Sequence, residues 1–376
     1  MIKRILLPDT SKNALRGIFR GALLLLLPLT GFADTIADTT VGDFRLSVLT
    51  AEVPGARQLA QTESGLLLVG SLRDGKLYAV APGAADEVEV VTFAAGLTLP
   101  SGLALIGNDL YVGALNRVLR YRNIEQTYRS NPQPELVTDQ LPDERHHGWK
   151  YLSVGPDGFL YVPVGAPCNI CESKDPRFAS ILRMDPDTGE TTIYAAGVRN
   201  SVGMAWRPDT GELWFSDNGR DWLGDDLPPE EINRVTVAGA HYGYPYVHAG
   251  DILDPKFGAG HDPADYVAPE VKIQAHSAAL GLAFYTGDQF PEAYRHALFI
   301  AEHGSWNRSA KVGYRVSVVR FDEAGPVYEP FLDVWLKGEK VSGRPNDVLV
   351  SQDGSLLISD DKAGAIYRVS YRGKPE

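Results

Sequence analysis

Six stretches of this chain share one shape: "LAQTESGLLLVGSLRDGKLYAV" from Leu59, "LPSGLALIGNDLYVGALNRVLRY" from Leu99, "WKYLSVGPDGFLYVPVG" from Trp149, "VGMAWRPDTGELWFSDNG" from Val202, "LGLAFYTGDQFPEAYRHALFIAEHG" from Leu280, and "PNDVLVSQDGSLLISDD" from Pro345. Each gives an apolar strand, a Gly/Asp turn and a second strand. Pairs such as Asp157-Gly158 and Asp353-Gly354 permit the positive φ angles of tight hairpins. Most copies run on into a third segment, such as "GKLYAV", "SILRMD" or "AIYRVSY". Taking Leu66, Leu110, Leu160, Leu213, Leu298 and Leu356 as equivalent points, the copies recur about 44, 50, 53, 85 and 58 residues apart, near the period of propeller blades with insertions. The pattern predicts an all-β chain folded as a six-bladed β-propeller. Helical periodicity is nearly absent beyond the N-terminal leader, and 38 Gly with 25 Pro suit a loop-rich β fold. A pair of β-sandwiches is the other all-β arrangement, and it accounts less well for the regular recurrence.

The N-terminus has a different character. Lys3, Arg4, Lys12, Arg16 and Arg20 precede the apolar run "GALLLLLPLTGF", which ends just before Ala33-Asp34. That layout predicts a secretory signal peptide over 1–33, a single catalytic propeller domain over 34–376, and a periplasmic or secreted mature chain. The run is shorter than the roughly 20 residues needed to span a bilayer, so no transmembrane segment is expected in the mature chain. Export also gives Cys168 and Cys171, in "PCNICE", an oxidising setting, and a short-loop disulfide is expected. The formal charge of −12 argues against a nucleic-acid partner, because phosphate binding needs basic patches.

In a propeller the loops beside the second strands gather around a central mouth, and the longest insertions fall there. "HHGWKYLSVGPDG" sets His146 and His147 ahead of the third repeat, and "GVRNSVGMAW" brings Arg199 and Asn200 to the fourth. "SDNGRD" ends a second strand with Asp217, Asn218, Gly219 and Arg220. "AEHGSWNR" adds Glu302, His303, Trp306, Asn307 and Arg308, and "SGRPNDV" adds Arg344, Asn346 and Asp347. Equivalent corners thus carry groups able to take a proton, hold an anion or ligate a hard cation.

From Phe44 to Tyr371 the combination of "RHHGWKYLSVGPDGFLYVPVGAPCNIC", "GVRNSVGMAWRPDTGELWFSDNGRD", "FIAEHGSWNRSAKVGYRVSVVRF" and "GRPNDVLVSQDGSLLISDD" resembles the glucose/sorbosone dehydrogenase family, exported six-bladed propellers that use pyrroloquinoline quinone (PQQ) with calcium. "CNIC" with "HGSWNR" looks like the sorbosone dehydrogenase-type branch. The resemblance implies a base at His146, four residues before Lys150, with His147 as the alternative. It implies cofactor contacts from Arg199 and Asn200, calcium held by carbonyls at Gly219 and Arg220, and a carboxylate clamp at Arg344 and Arg308. Asn346 stands where well-known members have arginine, Arg220 where they have proline, and no Gln is found near Pro100-Ser101.

This chemistry is coherent. Oxidising an alcohol by hydride transfer needs a base near neutrality, which imidazole supplies, and charge developing on the quinone suits a hard cation and an arginine. One imidazole would be the base and the other would orient it or bind sugar hydroxyls. The expected partners are a sugar or related alcohol and an external electron acceptor, a quinone or a cytochrome. Two other readings compete: a calcium-dependent lactonase with carboxylates such as Asp217 and Asp347 around one metal, and a non-catalytic binding propeller.

Overall fold

A computed structural model describes residues 39–83 and 87–373; the expected leader and its cleavage site lie outside them. Six antiparallel sheets follow one another along the chain, each with its three inner strands consecutive in sequence. The first blade comprises Ala56–Gln61, Leu67–Ser71, Leu77–Pro82 and Val88–Ala94. The second has Gly102–Ile106, Asp109–Gly113, Val118–Tyr121 and Glu135–Thr138, and the third has Ser153–Val154, Leu160–Val164, Ser180–Met184 and Thr191–Ala196. The fourth has Met204–Trp206, Leu213–Asp217, Glu230–Arg234 and Val271–Ile273; the fifth has Ala279–Phe284, Leu298–Glu302, Arg315–Asp322 and Gly325–Leu332. The sixth runs Pro345–Val350, Leu356–Asp360 and Ala365–Tyr371. The six repeats read from the sequence are these six blades, and the meander within each sheet makes the fold a β-propeller rather than two sandwiches.

The hairpin turns form as their residues dictate: Gly158 and Gly354 both adopt positive φ, at 79° and 77°. Each blade also has an outer fourth strand that the repeat pattern did not reveal. These strands are half exposed and carry little apolar periodicity, as in Thr191–Ala196.

The sixth blade takes its outer strand from the other end of the chain. Phe44–Thr50 pairs antiparallel with Ala365–Tyr371, with Phe44 opposite Tyr371. Phe44 anchors it, its ring centroid lying 4.8 Å from Phe290, 4.9 Å from Phe331, 5.3 Å from Tyr371 and 5.5 Å from Tyr294. Truncating such a residue costs about 3–5 kcal/mol. The closure matters because it caps the edge of the last blade and fixes the ring that holds the loops in place.

Apolar packing runs between neighbouring blades: Leu68 and Ala79 of the first meet Leu103 and Val112 of the second, and Trp214 of the fourth meets Phe284 of the fifth at 5.8 Å. Among the described residues no helix is long and apolar enough to cross a membrane.

Candidate active site

In an antiparallel hairpin the start of one strand and the end of the next lie at the same end. Repeated six times, that geometry brings the loops entering the inner strands and leaving the second strands to one face. A cavity of about 1000 Å³ opens there. Its wall includes His146, His147 and Trp149 ahead of blade three, Arg199 and Asn200 ahead of blade four, Asn218 and Gly219 after its second strand, and Arg344 ahead of blade six.

His147 is 9% exposed, held against the second strand of blade three by a missing side chain. A Cβ on Gly165 would lie 2.4 Å from the His147 Cβ and 3.3 Å from the Asn200 Oδ1, so only glycine lets the two approach. The next residue, Ala166, offers its carbonyl 2.9 Å from His147 Nδ1. A carbonyl can only accept, so Nδ1 carries the hydrogen and Nε2 keeps the lone pair. Burial first, then the charge of Arg199, holds this imidazole well below its ordinary pKa, leaving it neutral. His146 is exposed, with its ring 4.0 Å from that of His147 and without a fixed partner of this kind.

Arg199 and Asn200 are presented by Asp217, whose buried carboxylate accepts their backbone N–H groups at 2.7 and 2.6 Å. The Arg199 guanidinium donates to the Asn169 carbonyl at 2.9 Å, to Asn169 Oδ1 at 2.8 Å and to the Asn218 carbonyl at 2.9 Å. Asn169 lies inside the loop closed by the Cys168–Cys171 disulfide, which is formed. The expected disulfide therefore does more than shape the mouth: it carries the residue that aims Arg199. Asn200 Oδ1 is buried without a partner, as is the indole Nε1 of Trp149.

Across the cavity, Arg344 donates through Nε to the His303 carbonyl at 3.1 Å and through Nη2 to the Gly304 carbonyl at 2.9 Å. Beside it, Arg57 of the first blade's inner strand donates to Asp361 at 2.8 Å and lies over the Trp149 ring at 5.9 Å. With its amide oxygen turned toward Arg57, Asn346 accepts from Nη1 at 2.7 Å and Nε at 3.2 Å. Asn346 is thus a buried support behind the wall, and the guanidinium at this corner is that of Arg57. Asp361 also bonds His303 Nε2 at 2.8 Å. Burial alone would raise the Asp361 carboxyl, but His303 and Arg57 hold it well below the usual range.

Two further expectations divide. Gly219 is on the wall, its N–H bonded to Glu230 at 2.7 Å. The Arg220 side chain turns to Asp254 at 2.5 Å, and among the described residues neither carbonyl, of Gly219 or Arg220, accepts a hydrogen bond. Arg308 does not reach the wall; it donates to the Asp225 carbonyl and to Asp226 at 2.9 Å, bracing one loop against another. Asp217 and Asp347 are not brought to one point. Asp347 accepts from the Leu59 N–H at 2.8 Å, deep under another blade.

A family model for glucose / sorbosone dehydrogenase matches residues 110–368. The chain belongs to the glucose/sorbosone dehydrogenase family. It is therefore a sugar oxidoreductase in the broad sense. A curated protein of Borreliella burgdorferi, described as uncharacterized, is 31% identical over 367 residues, covering 93% of this chain and 95% of that one. Among solved structures, a calcium structure of a Trichoderma reesei carbohydrate-active enzyme of family AA12 superposes with a TM-score of 0.73 at 21% identity, covering 89% of this chain and 97% of that one. The holo PQQ domain of a Coprinopsis cinerea pyranose dehydrogenase gives 0.72 at 17% identity, with 88% and 96% covered. The apo soluble aldose sugar dehydrogenase of Escherichia coli gives 0.66 at 19% identity, with 88% and 100% covered. At these identities the structures share the fold.

Among the wall residues that escaped the sequence reading are Arg57, Trp149, Glu230 and Asp361. Only Arg57 left a usable signal, a charged residue inside the apolar inner strand "ARQLAQ". Burial pushes the Glu230 carboxyl up to about 7 despite two backbone N–H donors, and nothing in "PPEEIN" announces that.

Proposed function

We propose that this family member is an exported, PQQ- and calcium-dependent dehydrogenase that oxidises an aldose, a sugar aldehyde or a related alcohol and passes the electrons to an external acceptor, a quinone or a cytochrome. The observation that carries the reading is His147: a buried neutral imidazole, fixed by Ala166 so that Nε2 is the basic atom, in a cavity whose far wall presents Arg57 and Arg344. The family match and the sugar-dehydrogenase likenesses agree with it.

The donor set suits an anionic quinone. Arg57 and Arg344 offer guanidinium edges to carboxylates, the unpartnered Trp149 Nε1 offers a further donor, and Asn200 Oδ1 offers an acceptor. The free carbonyls of Gly219 and Arg220 are hard oxygen ligands of the kind calcium takes, and the buried Glu230, which accepts the Gly219 N–H, stands beside them. When bound, such a quinone supplies an electrophilic carbonyl that accepts the hydrogen and electron pair leaving the sugar carbon. His147 takes the hydroxyl proton at Nε2, and its hydrogen bond to Ala166 stabilises the imidazolium that results. Arg199 stays fixed by Asn169 and Asn218, so it can meet developing negative charge without reorganising. The exposed His146 is left to bind sugar hydroxyls at the rim. The lactonase alternative lacks support, since Asp217 and Asp347 are each spent on backbone amides of separate blades.

The test is reconstitution. The chelator-stripped protein is expected to reduce a redox dye with an aldose or sugar aldehyde only when PQQ and calcium are added together, and the same addition is expected to raise its melting temperature. Calcium-supported hydrolysis of a sugar lactone with no thermal shift from PQQ would replace this reading with the lactonase.

A further inference from the structure

Two aromatic rings lead outward from the cavity. Trp222 and Trp306 lie in equivalent loops, after the second strands of blades four and five, and each is 67% exposed. Their rings meet edge to face with centroids 5.5 Å apart. Trp306 is part of the cavity wall and Trp222 lies beyond it. Paired apolar surface left in water is unfavourable and marks a place where something binds.

The pair is not there through slack in the loops. Arg308 donates to the Asp225 carbonyl and to Asp226 at 2.9 Å, and the Ser309 N–H donates to Asp225 Oδ1 at 3.0 Å. His276 Nε2 lies 2.8 Å from the Gly224 carbonyl. These bonds tie the loop that carries Trp222 to its surroundings and to the loop that carries Trp306. Trp222 itself has φ of 70°, in the left-handed region that bulky residues rarely enter. Strain of this kind persists where the surroundings enforce it, and it concentrates at functional sites.

The shape and chemistry fit a sugar ring. A pyranose has C–H faces that lie on aromatic rings and hydroxyls that seek acceptors, and the Asp221 and Asp226 carboxylates stand close by in the same loop. A protein partner fits less well. Two tryptophans exposed to this degree offer roughly 330 Å², given ~250 Å² per ring, against about 800 Å² per side in a stable interface.

We propose that Trp222 and Trp306 form a subsite for the second and third rings of an oligosaccharide whose reducing end enters the cavity. The inference rests on the sugar-oxidising reading of that cavity, and its test reads binding as well as turnover. Titrating the unloaded full chain with maltotriose is expected to change intrinsic tryptophan fluorescence at lower concentration than glucose does. Trp222→Ala is expected to weaken that binding about 5- to 20-fold, and Trp222→Tyr to restore most of it. In the reconstituted enzyme, Trp222→Ala should raise the KM for maltotriose by a similar factor while the KM for glucose moves less than about two-fold. Equal affinity of the native chain for glucose and maltotriose, or no effect of Trp222→Ala on either, overturns the subsite. So does a Trp222→Ala effect confined to reduction of a quinone or cytochrome acceptor, which would make the pair an acceptor contact. A chain that binds maltotriose through Trp222 yet never turns over with PQQ would keep the subsite and remove the cofactor reading instead.

Discussion

The two walls of the cavity are built on different physical plans. On the His147 side, the polar groups are aimed by backbone: a carbonyl fixes the imidazole, two amides fix Asp217, and two carbonyls fix Arg199. On the Arg57 side, Asp361, Arg57, His303 and Asn346 hold one another through side chains drawn from opposite ends of the chain. The first plan yields a neutral imidazole of fixed tautomer. The second yields a fixed positive field of the kind that would hold an anionic ligand. Placing them on opposite walls lets one cavity serve both tasks.

The sharpest way to separate the walls is to remove each centre. His147→Gln is expected to lower turnover by about 10²- to 10⁴-fold with cofactor-induced thermal stabilisation retained, whereas His146→Gln should cost far less. If only the His146 change abolishes turnover, the base lies one residue earlier. Arg57→Ala should do the reverse. It leaves the partly buried Asp361 carboxylate with His303 alone, so we expect a loss of about 1–3 kcal/mol in unfolding free energy and much weaker PQQ retention, read by denaturant titration and equilibrium dialysis.

The walls should also respond to pH in opposite directions. The Glu230 carboxyl on the first side is raised to about 7, so between pH 4.5 and 7 the unfolded chain holds fewer protons and stability falls as pH rises. Glu230→Gln is expected to remove a share of that fall, up to about 3 kcal/mol, in unfolding measurements on cofactor-free protein. The lowered Asp361 contributes stability above its ordinary range, and that contribution disappears as the pH drops below it. Between these extremes, replacing Cys168 and Cys171 by serine should loosen Asn169 and cost about ten-fold in turnover through Arg199. Mass spectrometry of the native chain should find no free thiol. The smallest effect is expected at Arg308. Arg308→Ala should change PQQ affinity less than about three-fold, against ten-fold or more for Arg344→Ala, because only Arg344 is on the wall.

The sequence by itself determined the blades. Strand-turn-strand units with apolar strands and Asp-Gly turns recur because each unit must bury both faces against a neighbour, and this shows in residue order alone. It also pointed to particular loops, and His146, His147, Arg199, Asn200, Gly219 and Arg344, singled out by the family motifs, all line the cavity. Three matters were left to the tertiary structure. The closing strand at Phe44 was invisible because its partner, Ala365–Tyr371, lies at the far end of the chain. The two adjacent histidines could not be told apart, since their difference is a carbonyl 19 residues away and the burial it accompanies. Arg57 could not be matched to Asn346, because ring closure alone brings the first and sixth blades together, and Arg308 could not be separated from Arg344, because its partners Asp225 and Asp226 lie 83 and 82 residues earlier in a loop of blade four. Local pattern fixes what a residue can do; which partner it meets depends on distances set by the whole ring.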